Sequence, residues 1–446
     1  MRTVSEQLER QIETEDLEWF ELLRTAPPRE VDVVAALGEE LEYFADLRVP
    51  PGSRVGIAVG SRGIARVAEV VAAAIAKLRN RGVALVLVPA MGSHGGATGI
   101  GQVKILHELG VDENVLGVLV DSSTEVQEIG KLSGGQLVHL ACAALRCDAI
   151  IPINGIKPHT ELRAPIESGL SKMSTIGLGK EQGALSLNSA GFEAFADVLP
   201  EAVGIVMGIL YVPFGIALLE DAWHRLHRAE VVAAELLLER DRTLVSEAWG
   251  HFARLPFEKV EVLVLREMGR TISRTGMDPN VTGRFPGKGL TAASVVGRLV
   301  VLDLTQSSGG NAVGVGLADV VTERLRSKVD WDVTYANVMA SKVLANARLP
   351  FVVGNDFEAL MLALASLTGA SVAPPHIVAM ANTLEVHHIA VSKPLVPKAR
   401  KASYSRVGSS LHAEFGEQGN LLRIGGLEFF PGTPGLFAAG SASWPR

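Results

Sequence analysis

The sequence predicts an α/β protein built on parallel strands, and three observations carry that prediction. Short apolar runs recur along the 446-residue chain, and several end in glycine or polar residues before passing into a helical pattern. That succession is expected of buried parallel strands covered by helices. The composition, 48% hydrophobic and 20% charged with 46 glycines, excludes a disordered, collagen-like or coiled-coil chain. At ~100–200 residues per domain, the length favours two large domains whose cores need no disulfide or metal staple.

Taken in order, the first twenty residues are charged and lack the apolar stretch and cleavage site of a signal peptide, so a cytoplasmic protein is expected. Residues 54–59 (RVGIAV) read as a strand, followed by Gly60 to Gly63 and an alanine- and valine-rich helix to about Asn80. Residues 83–89 (VALVLVP) read as a second strand, then a glycine-rich loop and a helix over 102–109. Residues 148–153 (DAIIPI) form a third, again running into a polar loop. The uncharged run 202–219 is long enough to weigh as a membrane span, but Pro213 and three glycines interrupt it. Two buried strands joined by a turn are expected there, and no membrane partner.

A second unit is expected from about Val260, with strands at 260–265 and 295–304 and helices at 317–325 and 357–367. The resulting domains are 1–256, 257–398 and a Gly-, Ser- and Pro-richer segment 399–446 that either packs back on the first domain or frays. With 42 Lys+Arg against 49 Asp+Glu and no long basic block, nonspecific nucleic-acid binding is not expected. Cys142 and Cys147 read as small core residues of a protein in a reducing compartment.

Each first-unit strand ends just before unusual polar chemistry, where an open α/β sheet gathers its ligands. Arg62 follows the first strand; its guanidinium suits a carboxylate or phosphate, although a lone strand-end arginine is also commonly just solvated. His94 follows the second, in Met91-Gly92-Ser93-His94-Gly95-Gly96. Gly95 and Gly96 let backbone amides approach an anion, and His94 reads equally as a loop brace or a base. The third segment (154–184, NGIKPHTELRAPIESGLSKMSTIGLGKEQGA) offers His159, Lys172 and Lys180 among small residues. It reads as backbone wrapped around an anionic ligand, or as a helix pair with solvated lysines. In the second unit Arg270 follows a strand, and Asp278-Pro279-Asn280 reads as a turn. Adjacent His387 and His388 would point apart on a strand, and His224, His227 and His251 read as surface residues.

Together GSRG at Arg62, MGSHGGAT at His94, IKPHTELRAPIESGLSKMSTIGLGK over 156–180 and EMGRTISRTGMDPNVTGR over 267–284 resemble the lactate racemase family and its shorter homologues. The likeness runs from about residue 50 to 395, and the long central motif is its most specific part. It implies two α/β domains with an active site in the interdomain cleft, and a nickel-pincer nucleotide tethered through a lysine that takes a hydride from a 2-hydroxyacid and returns it to either face. By motif, Arg62 resembles the carboxylate-binding arginine, His94 and His159 the paired acid/base histidines, and Lys172 the cofactor-bearing lysine. Two positions depart from the pattern. Asn188 stands where the family has its nickel-ligating histidine, and an amide is a far poorer ligand for such an ion. Arg270 stands for a lysine near the substrate, and arginine does not donate a proton near neutral pH.

The resemblance therefore implies a racemase or epimerase of a 2-hydroxyacid. The departures leave two alternatives: metal-free proton transfer by His94 and His159, or a noncatalytic binder of an anionic metabolite or of the nucleotide. The residues name neither the particular acid nor an oligomeric state.

Overall fold

The computed structural model describes residues 18–24, 32–61, 64–191, 194–287, 290–341, 343–367 and 374–429. They divide into two compact units, one drawn from Pro28–Phe252 and the other from Met1–Pro27 together with Ala253–Arg446. β1 (Trp19–Arg24) belongs to the second of these.

The first unit runs α1 (Val33–Arg48), β2 (Arg54–Val59), α2 (Val67–Arg79), β3 (Ala84–Pro89) and α3 (Gly99–Glu108). A two-stranded ribbon follows, β4 (Val126–Lys131) with β5 (Leu137–Ala141), and then β6 (Ala149–Ile156), α4 (Lys180–Asn188) and α5 (Phe195–Met207). It closes with β7 (Phe214–Glu220), β8 (Leu226–Ala233) and α6 (Leu237–His251). Its main sheet has the order β3-β2-β6-β7-β8 among the described residues. The first four strands are parallel and β8 is antiparallel.

Successive side chains of a strand point to opposite faces, and here both faces are covered. Val55, Ile57 and Val59 of β2 share a core with Leu37 and Leu41 of α1 and with Val70 and Ala74 of α2. Ala58, between them, joins a different core with Val206 of α5 and Leu244 of α6. Each such aliphatic burial stabilises by ~1.5–3 kcal/mol, which is why these strands are unbroken apolar runs rather than alternating ones.

The second unit comprises β9 (Lys259–Met268), β10 (Val295–Leu304), β11 (Val320–Thr322), β12 (Phe351–Val353), α7 (Asp356–Ala365), β13 (Ile377–Met380), β14 (His388–Ser392) and β15 (Tyr404–Leu411), together with β1. Its sheet order is β12-β11-β10-β9-β13-β14-β1-β15. The members from β12 to β13 pair in parallel, whereas β14, β1 and β15 pair antiparallel. The α/β class is therefore observed in both units.

Three expectations need correction. Residues 202–219 are the second half of α5 followed by β7, not two strands. Buried Phe195, Val198, Leu199, Ala202, Val203 and Val206 recur at helical spacing, but a run counted from after Glu201 omits the upstream half of that period. Within 317–325 the chain first forms β11, and helix covers Glu323–Ser327. Val320 and Val321 are β-branched and find ladder partners in Val300 and Val301, which outweighs the helical pattern. Cys142 and Cys147 are free thiols and half-buried rather than fully buried, although Cys147 packs against the core that holds Val206 and Leu244. No helix among the described residues is long and apolar enough to cross a membrane.

Candidate functional site

Loops leave the carboxyl edge of the first unit's sheet side by side, because β3, β2 and β6 are parallel neighbours. Arg62, in the loop after β2, lies outside the described residues. Ser61 before it is described, and its hydroxyl is hydrogen-bonded to Nδ1 of half-buried His94 in the loop after β3. Two strand ends are thus joined through a candidate base. Gly95 and Gly96 follow with φ of +68° and +65°. A Cβ on Gly95 would also lie 2.7 Å from the backbone nitrogen of Gln102, so dihedral and space both demand glycine there.

A buried pair holds this loop from beneath. Gln102 donates from Nε2 to the carbonyls of Gly92 (3.0 Å) and His94 (3.4 Å). Its Oε1 accepts from Lys180 Nζ at 2.9 Å, and Lys180 also donates to the Pro89 carbonyl at 2.7 Å. Lys180 is only 2% exposed. Burial pushes its pKa down to about 8, against the pull of the Asp121 charge. The long stem fills the interior and the ammonium satisfies two acceptors. Lys180→Ala is expected to cost about 2–4 kcal/mol, from the cavity plus the orphaned acceptors. Denaturant melts of the two proteins measure it.

His159, in the loop after β6, is 3% exposed. Its backbone N–H donates to Glu167 Oε2 at 2.7 Å, and its Nδ1 accepts the Glu161 N–H at 3.1 Å. An accepting Nδ1 assigns the proton of the neutral ring to Nε2. The Glu167 carbonyl in turn accepts from Lys172 Nζ at 3.1 Å, and that amine lies 5.1 Å from the centre of the Phe195 ring. Glu167 therefore fixes both His159 and Lys172. Burial raises its carboxyl, opposed by the His159 amide and by the Trp249 indole, which donates to Oε1 at 3.3 Å.

Lys172 ends the helical turn Leu170–Lys172, which runs directly into a π-type turn, Met173–Gly177. Asp241 of α6 holds the start of that turn: its carboxylate oxygens accept the N–H groups of Leu170 (3.1 Å) and Ser171 (2.7 Å). Asp241 is fully buried, and burial pushes its pKa up to about 6, against those same amides. Gly169, with φ +123°, lets the carboxylate close in, since a Cβ there would stand 2.6 Å from its Cγ. The Gly177 carbonyl accepts the Gly92 N–H at 3.1 Å, so the His94 and Lys172 segments are bonded to one another.

At the end of β7, Glu220 accepts the Ala65 N–H at 2.7 Å. Burial opposes its charge, but the bond from His224, the charge of Lys157 and the Ala65 amide together hold the carboxyl below the usual range.

Asn188, at the last position of α4, is exposed. Arg270 belongs to the second unit, after β9. Its N–H donates to Ser308 Oγ at 3.0 Å and its Nη1 to the Arg274 carbonyl at 2.6 Å. Burial and then the Arg274 charge push this guanidinium downward. Asp278 takes the expected turn role, accepting the Asn280 N–H at 2.9 Å.

Asp241, Glu167 and Gln102 were not singled out from the sequence. Glu167 carries a local signal, an acid within a stretch of small and apolar residues, whereas Asp241 sits in an ordinary polar helix pattern 70 residues from its partners.

No protein-family model matches the chain, and no curated protein does. Among solved structures, it is similar to the crystal structure of a protein from Thermotoga maritima, with 14% identity and a TM-score of 0.48 over 61% of this chain and 72% of that one. It is also similar to the structure of the lactate racemase apoprotein from Thermoanaerobacterium thermosaccharolyticum, with 14% identity and a TM-score of 0.41 over 64% of this chain and 74% of that one.

Proposed function

We propose that the chain is a racemase or epimerase of a small 2-hydroxyacid, with His94 and His159 as its proton carriers. The observations that support this reading are that Glu167 bonds both the His159 loop and Lys172, and that the Gly92–Gly177 bond ties the His94 loop to the turn following Lys172, beside the carboxyl ends of parallel strands.

Racemisation presents either enantiomer to one site, so two bases are useful. Imidazole's ordinary pKa of ~6.5 lets each alternate between accepting and donating near neutral pH. In this reading one ring takes the substrate hydroxyl proton and the other returns one, while the Cα–H bond would be broken and remade by the hydride acceptor that a nucleotide held on Lys172 would supply. Arg62 is proposed to grip the carboxylate, which fixes the Cα–H direction.

The nickel-pincer nucleotide is half matched by the residues present. Lys172, an amine that bonds a backbone carbonyl beside an aromatic face, suits a tether by position in the motif. The metal does not fit: the position of its histidine ligand holds Asn188, an exposed amide at a helix end. The chain's own residues would supply carboxylate binding and movement of the hydroxyl proton. That same mismatch favours a second reading, a noncatalytic binder of an anionic metabolite.

The test of the tether is the intact mass of protein produced alongside the pincer-nucleotide biosynthetic enzymes. An adduct that vanishes in Lys172→Ala is expected. Unmodified wild-type protein would overturn the assignment of Lys172. If, in addition, no 2-hydroxyacid is racemised while anions raise the Tm, the binder reading takes its place.

A further inference from the structure

Away from this network, His227, Glu247 and His251 stand together on the first unit. His227 lies on β8, and Glu247 and His251 are one turn apart on α6, on the same face. One ligand atom from each residue lies within 4.8 Å of the others. The two imidazole rings are 4.1 Å apart between centres and tilted by 44°. His227 is exposed, whereas the other two are half-buried.

We propose that these three side chains bind one divalent transition-metal ion of the zinc class through two imidazole nitrogens and one carboxylate oxygen, with water completing the sphere. Imidazole and carboxylate donors in this ratio suit zinc, and a three-residue set leaves the fourth tetrahedral position to solvent. At bond lengths of ~2.0–2.1 Å, tetrahedral ligand atoms lie about 3.3 Å apart. The observed spread therefore has to close modestly, which rotation of the long Glu247 side chain and of exposed His227 supplies. Arg228 Nε is paired with Glu247 Oε1 at 3.2 Å and so orients the carboxylate from outside, as second-layer partners of metal ligands do. A bound ion would pin β8 to α6, the helix that also carries Asp241 and Trp249.

The test uses the full chain stripped with a chelator and titrated with Zn²⁺ by calorimetry and with Co²⁺ by visible absorption. One equivalent per chain, a Tm that rises with Zn²⁺ and the strong absorption of four-coordinate Co²⁺ are expected. His227→Ala and His251→Ala, each shown by circular dichroism to be folded, should weaken Zn²⁺ binding by at least ~100-fold, and Glu247→Gln by at least ~10-fold. Lys172→Ala should bind like the unaltered chain, which separates this ion from any tethered cofactor. The proposal is overturned if the unaltered chain takes up no Zn²⁺, or if the two histidine variants bind it as tightly as the unaltered chain.

Discussion

Replacing either His94 or His159 by asparagine is expected to lower 2-hydroxyacid racemisation by at least ~100-fold, about 2.7 kcal/mol in the barrier, with KM changed much less. Asparagine suits the test because its side-chain oxygen stands near the place of Nδ1. At His159 it can still accept the Glu161 N–H, and at His94 it can still bond the Ser61 hydroxyl. The local structure is thus supported while the ring that shuttles the proton is gone. Each single variant should fail in both directions, because one ring is the base for one enantiomer and the acid for the other. Chiral chromatography from each pure enantiomer measures this, and rates like those of the unaltered chain would refute the acid/base assignment.

Asp241→Ala is expected to destabilise the fold by about 3–5 kcal/mol, because it leaves the buried N–H groups of Leu170 and Ser171 without an acceptor and removes the contact that starts the Lys172 turn. Asp241→Asn should cost less, since one of the two amides keeps an oxygen partner. The same residue sets a pH dependence. Its folded-state pKa, about 6, is above the unfolded value of ~3.9, so its contribution is fully present below that unfolded value and is lost as pH rises through 6. From this group alone, the unfolding free energy should be about 1 kcal/mol larger at pH 5 than at pH 7. Urea melts at the two pH values should show that difference shrinking in Asp241→Asn. An unchanged difference would mean that the titrating group lies elsewhere.

The strands that build the candidate site were legible because each is a local, doubly buried apolar run. The sequence places strands at 54–59, 83–89 and 148–153, and the structure has Arg54–Val59, Ala84–Pro89 and Ala149–Ile156. His94 and His159 stood out for the same reason, as polar residues at the ends of those runs. What ties them together was not legible. Lys180 was visible among small residues, but its two acceptors, the Pro89 carbonyl at the end of β3 and Gln102 Oε1, are 91 and 78 positions away. Asp241 reaches across 70 positions to backbone amides, which have no side-chain signature. Nor did the charged N-terminal region announce β1, which is inserted between β14 and β15 of the second unit. Its pairing rests on backbone bonds, and Glu21 within it accepts from His388 Nε2 at 2.8 Å. That bond also gives His388 a partner on its own sheet rather than in a metal pair with His387.

Loss of optical activity reports racemisation without assuming which acid is the substrate. Protein produced with the pincer-nucleotide biosynthetic enzymes is incubated with single enantiomers from a panel of short 2-hydroxyacids, and the enantiomeric ratio is followed beside the His94→Asn/His159→Asn double variant. At least one acid should be driven toward an equal mixture, or to its epimer, by the unaltered chain and not by the double variant. Retention of optical purity across the panel by a chain that carries the Lys172 adduct would contradict it.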